Sequence, residues 1–299
     1  KPFKKALYVE RNEQLCSIAT QNFKCLGLNN ISTKNGDSIE VLHQLDSVSI
    51  LFLDPARRNS SGGKVVSMAD CEPNVLELCD EMVKKSHFVV LKLSPMLDWH
   101  SAVAQLKYVT EVHIVSVGNE CKELLLVLTD RNKTAKGCKS NTIQIFCVND
   151  NDVFSYEEGI YSEGENIPQQ RIFDRNATLP PYLYEPNASI MKAGCFAQLS
   201  ETYGVAALGH NSHLFVSPDF LPHFPGRKFQ IVNVCTLNKK ELRRVLTGMT
   251  QANIAVRNFP MRVDELKKRL KLRDGGEHYI FATTRGDKEH ILIISKKEV

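Results

Sequence analysis

Three acidic residues near the start of the sequence each lie at the end of a short predicted strand, which is where a carboxylate can bind a ligand. These residues are Glu10, Asp37 and Asp54. A carboxylate after the second strand of a nucleotide-binding half-sheet can accept hydrogen bonds from two ribose hydroxyls, and one after the next strand can accept from an adenine amino group. Local roles remain open, because Glu10 could stabilise a helix N-terminus and Asp37 could close an Asx-type turn.

The strongest local signal is Asp54-Pro55-Ala56-Arg57-Arg58, directly after the apolar run Val48–Leu53. A strand cannot continue through Asp-Pro, because proline lacks a backbone donor and restricts the residue before it. The pattern therefore fixes Asp54 at the rim of a sheet, where it can hold a planar amine or a base edge. Arg57 and Arg58 add positive charge suited to phosphate. The alternative is a turn with a structural aspartate.

A second set of candidates is basic and lies near the C-terminus. From residue 225 to residue 299 there are 17 Lys and Arg against 8 Asp and Glu, a net charge of +9, so the preceding part carries −5 of the overall +4. Side chains spaced along two predicted helices can follow a phosphate backbone. The residues are Arg243, Arg244, Lys267, Lys268, Arg269, Lys271 and Arg273. A solvated basic surface, or cations placed at helix C-termini by the helix dipole, are the alternatives.

Other classes of site and location receive little support. The nine cysteines are odd in number and include no CxxC pair, which favours buried thiols in a reducing cytoplasm over disulfides or zinc. His210, His213 and His223 lack acidic or cysteine neighbours at metal-ligand spacing, so we expect no metal. No apolar run is long enough to cross a membrane, and no signal peptide is present. We expect a cytoplasmic protein with no membrane partner.

The elements that must position these residues alternate along the first 130 positions. Short apolar strands and amphipathic helices follow one another, which predicts a Rossmann-type α/β sheet with helices on both faces. In the first helix, Leu15, Ile18 and Phe23 have the spacing of a core face. A hairpin around Gly118-Asn119 should supply one antiparallel edge strand.

The remaining chain predicts three further parts. Residues 131–177 look like a connector with its own hairpin, and residues 178–224 form a small segment with one helix over Ser189–Tyr203. Residues 225–299 alternate strands and helices as a compact basic α/β domain.

The order of these motifs resembles the class I S-adenosylmethionine-dependent methyltransferases. The segments that carry the resemblance are Tyr8–Asn12, Asn35–Asp37 and Leu53–Arg58. Longer motifs resemble a bacterial subgroup with a ferredoxin-like segment and a C-terminal THUMP-like domain. They are Lys92–Asp98, Val117–Leu124, Tyr182–Ala188, His210–Phe215, Phe224–Arg227 and Asp274–Glu277.

The resemblance implies particular roles. The residues that would bind S-adenosylmethionine are Glu10, Arg11, Asp37 and Asp54, with Glu10 at the ribose and Asp37 on the adenine side. Asp54, Pro55, Ala56 and Arg57 occupy the position of the Asp-Pro-Pro-Tyr-type motif of amino-methyltransferases, but Ala56 and Arg57 replace the second proline and the aromatic residue that stacks on a base. The family's glycine-rich loop is not found before Glu10. We therefore expect this chain, by itself, to bind the cofactor weakly or not at all and to be inactive.

The function that follows is methyl transfer to RNA, either tRNA or rRNA, with the THUMP-like part capturing the RNA. One alternative is a non-catalytic RNA-binding or assembly factor that retains the sheet. Another is a methyltransferase that acts on a small molecule or a protein.

Overall fold

The computed structural model describes residues 3–57, 68, 71–131, 142–159, 169–286 and 288–298. It divides into two compact units, one made of residues 1–112 and 124–140 and the other of residues 113–123 and 141–299. Arg58, the loop at 60–64 and most of the polar stretch at 131–140 lie outside the described residues, as does Cys138. Among the described residues, no helix is long and apolar enough to cross a membrane.

The first unit begins with the alternation of strands and helices that the sequence predicts. Its elements are β1 (Ala6–Glu10), α1 (Glu13–Cys25), β2 (Ile31–Asn35), α2 (Ser38–Gln44), β3 (Val48–Leu53), β4 (Ala56–Arg57), β5 (Cys71–Glu72), α3 (Val75–Lys85), β6 (Ser86–Leu93) and α4 (Trp99–Gln105). β7 (Val109–Val117) and β8 (Glu120–Leu128) run through both units. The helix ends follow local chemistry: the Asn12 side chain accepts the Leu15 N–H at the start of α1, and Gly27 takes a positive φ just after its end.

The strands of this region form three sheets. β1 and β2 pair in parallel as a two-stranded sheet, and β4 and β5 form a short antiparallel ribbon. A six-stranded sheet has the order β10-β9-β7-β8-β6-β3, in which β3 and β6 are parallel and β8 is antiparallel to β6. The β7-β8 hairpin was expected to supply the single antiparallel edge strand. That is wrong, because β9 (Thr142–Asn149) and β10 (Asp152–Gly159) extend the sheet beyond it.

The predicted core face of α1 is wrong in part, although Phe23 is half-buried and packs on the Tyr8 ring at 5.6 Å. Leu15 and Ile18 are 51% and 54% exposed, whereas Cys16 is buried. The sheet beside α1 is only two strands wide, so it covers one side of the helix and leaves the neighbouring apolar positions in solvent. β3 shows the same pattern, with Phe52 60% exposed on an edge strand. Apolar spacing identifies the helix here but not the face that becomes buried.

The second unit is dominated by a seven-stranded sheet of order β12-β13-β11-β14-β17-β16-β15. Its further elements are β11 (Tyr182–Pro186), α5 (Ala188–Ala193), α6 (Phe196–Tyr203), β12 (Ala206–Ala207), β13 (Phe215–Ser217), β14 (Gly226–Cys235), α7 (Lys239–Val245), β15 (Asn253–Arg257), α8 (Val263–Leu270), β16 (His278–Arg285) and β17 (Glu289–Glu298). The single helix expected over Ser189–Tyr203 is two helices. Gly194 ends α5 with a φ of +72°, a conformation that an α-helix cannot contain.

Two apolar cores lie on opposite faces of this sheet, because successive side chains of a strand point to opposite sides. Leu183, Phe229 and Phe281 belong to one core, on the side of the 205–217 segment. Leu266, Leu270 and Ile294 belong to the other, which α7 also joins through Leu242. The two helices α7 and α8 therefore share one face of the sheet.

Candidate functional site

The ends of β1 and β2 are held together at the point where the first two candidate carboxylates lie. The Gly36 N–H donates to the Glu10 carbonyl over 3.1 Å. The Asn35 side-chain amide donates to the carbonyls of Glu10 and Arg11 over 2.9 and 3.1 Å. This arrangement follows from the parallel register, which sets Glu10 opposite Asn35. Asn35 was not among the predicted site residues, although the Asn-Gly-Asp turn indicated its position.

The carboxylates of Glu10 and Asp37 both make local hydrogen bonds, through two oxygens in Glu10 and one in Asp37. Oε1 of Glu10 accepts the Asn12 N–H over 2.8 Å, and Oε2 lies 3.4 Å from the Tyr8 hydroxyl. Oδ1 of Asp37 accepts the Ile39 N–H over 2.7 Å, which makes Asp37 the N-cap of α2. The local roles that the sequence left open are therefore present. They fix each side chain at its strand end and leave the second oxygen of Asp37 available.

Arg11 links this corner to the segment that follows Asp54-Pro55. Its Nη1 lies 3.0 Å from Oε1 of Glu72, and Glu72 in β5 stands opposite Ala56 in β4. The hydrogen bond with Glu72 raises the pKa of Arg11, and the negative charges of Asp37 and Glu10 act in the same direction. Arg11 therefore lies between the two acidic strand ends and the ribbon that carries Ala56.

Asp54 has a partner that the sequence did not predict. Nζ of Lys92 lies 2.9 Å from Oδ2 of Asp54, and the two side chains are 31% and 53% exposed. Lys92 reaches Asp54 because β3 and β6 are parallel, with Leu53 opposite Leu91. In the sequence, Lys92 stands out only as the first residue of a motif. Aligning the two strands by their carboxyl ends would have identified it.

Of the two predicted arginines after Asp54, Arg57 lies within the described residues and Arg58 does not. The backbone of Arg57 closes β4 opposite Cys71. Arg58 lies outside the described residues, so its predicted contact with phosphate stays a prediction.

The basic candidates lie on and after α7 and α8, which pack side by side on one core. Six of them are exposed: Arg243, Arg244, Lys268, Arg269, Lys271 and Arg273. Lys267 is only part-exposed and pairs with Asp274 over 2.8 Å. Because that carboxylate offsets its charge, Lys267 is the weakest of the predicted RNA ligands.

The three histidines do not form a metal site in the structure. Among the described residues, no group of three or more His, Cys, Asp or Glu side chains is arranged to hold a metal ion. His213 instead lies against the rings of the second unit, 4.8 Å from the Phe196 centroid.

The described features define an α/β protein with the Rossmann-type sheet of the class I methyltransferases, followed by a smaller α/β region. Residues 182–225 match a family model described as a ferredoxin-like domain, and residues 226–297 match one described as THUMP domain-like. These matches confirm the subgroup that the sequence motifs resemble.

One solved structure is similar over nearly the whole chain. It is titled "Crystal structure of putative methyltransferase from Porphyromonas gingivalis W83". The two chains are 29% identical with a TM-score of 0.84, and the match covers 99% of this chain and 72% of that one. No curated protein matches the sequence.

Proposed function

We propose that the protein is an S-adenosylmethionine-dependent methyltransferase that acts on RNA in the cytoplasm. The observation that carries the proposal is the placement of Glu10, Asp37 and Asp54 at or just after the carboxyl ends of β1, β2 and β3, each of which has a parallel neighbour in one of two α/β sheets. Ligands of such sheets collect at the carboxyl ends of their strands. The THUMP-like match and its exposed cations support RNA as the substrate class. The cysteines agree with a reducing compartment, since all eight described ones are free thiols.

The carboxylates at the ends of β1 and β2 fit the adenosine half of the cofactor. Glu10 would accept hydrogen bonds from the ribose hydroxyls, and the available oxygen of Asp37 would accept from the adenine amino group. Their locally bound oxygens hold both side chains in place before a ligand arrives. The bound cofactor would supply an electrophilic methyl group.

The Asp54–Lys92 pair would orient the group that receives the methyl. Asp54 can accept a hydrogen bond from an amine, while Lys92 fixes one of its oxygens. Methyl transfer needs little acid–base chemistry, so alignment of the nucleophile supplies most of the catalysis. Arg57 and Arg58 would contact phosphate near this nucleophile. Arg57 stands where the family has the aromatic residue that stacks on a base, so stacking on a base is not part of this proposal.

The basic surface of α7 and α8 would capture the RNA. Six exposed cations on or just after two helices that share one face of the sheet can bind phosphates without reading the sequence. The chemistry would then be confined to the first unit and the capture to the second.

Transfer of a labelled methyl group to RNA, measured with the protein as its gene encodes it, tests the proposal. Glu10→Gln should weaken cofactor binding about 10-fold or more, because hydrogen bonds to a charged acceptor are worth about 1.5–3 kcal/mol. Asp54→Asn should lower kcat on the order of 100-fold while cofactor binding is retained. Glu13→Gln, an exposed residue on α1, is the matched control and should leave both quantities unchanged.

The outcomes separate the alternatives. RNA binding without methyl transfer would support a non-catalytic RNA-binding or assembly factor. Transfer to a protein or a small molecule in the absence of RNA binding would support the other alternative. Cofactor binding that is insensitive to Glu10→Gln would contradict the assigned site.

A further inference from the structure

A buried carboxylate in the second unit holds two arginines, apart from the helices assigned to RNA capture. The Glu185 side chain on β11 is only 5% exposed. Its Oε2 accepts from Nε of Arg227 over 2.6 Å and also from Nη2 of Arg227. Its Oε1 accepts from Nη2 of Arg257 over 2.6 Å. Both oxygens are therefore occupied by guanidinium groups, which lie side by side.

This cluster joins strands that are distant within the sheet. Arg227 is the direct cross-strand neighbour of Glu185, but three strands (β14, β17 and β16) separate β11 from Arg257 on β15. All three residues point to the face that holds the Leu183 and Phe281 core, since each is two residues from a member of that core or of its rim. The contact requires the sheet to coil around this core. Coiling brings the end of β15 back to β11.

The cluster has more positive charge than its own carboxylate neutralises. Two guanidinium groups face one Glu185, and the arginine side chains remain 39% and 36% exposed. Arg227 uses Nε and Nη2 for Glu185, which leaves Nη1 available. Arg257 uses one donor on Nη1 for the Val256 carbonyl. The remaining N–H groups belong to two planar guanidinium groups that share one carboxylate, so the cluster keeps a net charge of +1 and donors of the kind that bind phosphate oxygens in pairs.

The surroundings of Arg257 include one further polar group without a partner. Nδ1 of His213 is buried and makes no hydrogen bond within the described part of the chain. Burial lowers the pKa of His213, and the charge of Arg257 lowers it further. The ring therefore lies near Arg257 and is uncharged at neutral pH. It could exchange a hydrogen bond with a bound group without adding repulsion.

We propose that Arg227 and Arg257 form a phosphate-binding site that Glu185 pre-orients, and that its ligand is a phosphodiester of the RNA backbone. The proposal rests on the proposed function only for the source of the phosphate. A purely structural cluster would join the ferredoxin-like and THUMP-like parts, and its exposed N–H groups would bind nothing.

Two measurements on the complete chain test the site. In the first, inorganic phosphate is titrated while NMR follows the Nε–Hε signals of the arginine side chains. The signals of Arg227 and Arg257 should shift and saturate, and Arg285 should not respond, because its Nε is buried and its Nη2 is held by the Asp174 and Ala177 carbonyls. In the second, anisotropy follows binding of a 12-nucleotide oligo(U) across a salt series.

Three substitutions should change oligo(U) binding in the second measurement, each in a stated direction. Arg227→Lys and Arg257→Lys keep the charge beside Glu185 but lose the planar fork, so each should weaken oligo(U) binding about 3- to 10-fold. Glu185→Gln removes the competing carboxylate and should strengthen binding, with a steeper dependence on salt. Arg285→Lys is the matched control and should bind as the unchanged chain does.

The possible results decide the proposal. Oligo(U) binding that is unchanged in both lysine variants, with no phosphate response at either arginine, overturns the site even if the cations of α7 and α8 prove essential. A phosphate response without oligo(U) binding keeps the site for a free anion and contradicts RNA capture. If Glu185→Gln fails to fold, the lysine variants and the NMR titration still decide.

Discussion

Asp54 and Lys92 form an ion pair that orients the Asp54 carboxylate more than it stabilises the fold. Both side chains are substantially exposed, so solvent screens their attraction, and such pairs contribute at most about 1 kcal/mol to folding. The distance of 2.9 Å nevertheless fixes one oxygen of Asp54 at the sheet rim. A residue that acts by orientation should affect turnover while leaving folding almost unchanged.

Replacing Lys92 tests this separation. We expect Lys92→Met to change the free energy of unfolding by less than about 1 kcal/mol but to lower kcat for methyl transfer about 10-fold or more, because Asp54 loses its fixed orientation. Lys92→Arg should restore most of the activity. Urea denaturation and single-turnover kinetics give the two quantities. A parallel loss of stability and activity would argue for a merely structural lysine.

His213 should make the stability of the second unit depend on pH. Burial lowers its pKa below the ordinary value of 6.5, so the folded state binds the proton less readily than the unfolded state. The unfolded state is therefore favoured as the pH falls through 6.5 and on to the lowered value, and stability that is complete above 6.5 is lost below it.

The substitution His213→Asn should flatten this dependence. Asparagine does not titrate in this range, and it tolerates the φ of +52° that His213 adopts. Thermal unfolding between pH 5 and 8 gives the comparison, with His210→Asn in the same loop as the control. If the unchanged chain and His213→Asn lose stability in parallel on acidification, His213 is not the group responsible.

At the scale of single residues, the sequence predicted the acidic members of the site but not their partners. Glu10, Asp37 and Asp54 could be found because each lies at the end of a short predicted strand along the chain. Lys92 and Glu72 were missed, since their contacts depend on which strands become neighbours in space, and for Lys92 this pairing would have had to be assumed. The Glu185 cluster was missed for the same reason, because it joins residues 72 positions apart in the sequence.

At the scale of elements, apolar patterns predicted that a strand or helix exists but not which of its residues are buried. β3 was expected from the apolar run Val48–Leu53, and it pairs in parallel with β6, another of the short apolar strands of this region. Their burial differs, however, because β3 lies at the edge of the sheet whereas β6 has a neighbour on each side. The expected helix that is divided into α5 and α6 shows this as well. Its apolar spacing continues across Gly194, but the helical backbone ends there.

The different burial of these two strands predicts different effects of the same kind of truncation. Leu91 on β6 is fully buried, so Leu91→Ala should lower the free energy of unfolding by about 2–5 kcal/mol. Phe52 on β3 is 60% exposed, so Phe52→Ala should lower it by less than about 1 kcal/mol. Trp99, the single tryptophan, is buried in the first unit and reports its urea denaturation by fluorescence. Equal effects of the two truncations would show that Phe52 is covered in solution.

At the scale of the whole molecule, the sequence alone shows that the net charge differs between the two parts of the chain. The net charge of +9 after residue 224 contrasts with −5 before it. In the fold, much of this positive charge lies on one surface, because α7 and α8 pack on one core and expose their cations. A polyanion should therefore bind mainly to the second unit, with an affinity that decreases steeply as salt increases.

The salt dependence of RNA binding measures this directly. We expect a combined variant, with Arg243→Gln and Arg244→Gln on α7 and Lys268→Gln and Lys271→Gln on or after α8, to bind a single-stranded RNA more weakly. The slope of log affinity against log salt should decrease by about 0.7 for each phosphate that the variant no longer neutralises. The control combines Lys5→Gln with Lys24→Gln, two exposed lysines of the first unit. A control that weakens binding as much as the helix variant would mean that RNA responds to overall charge, and would remove α7 and α8 as the capture surface.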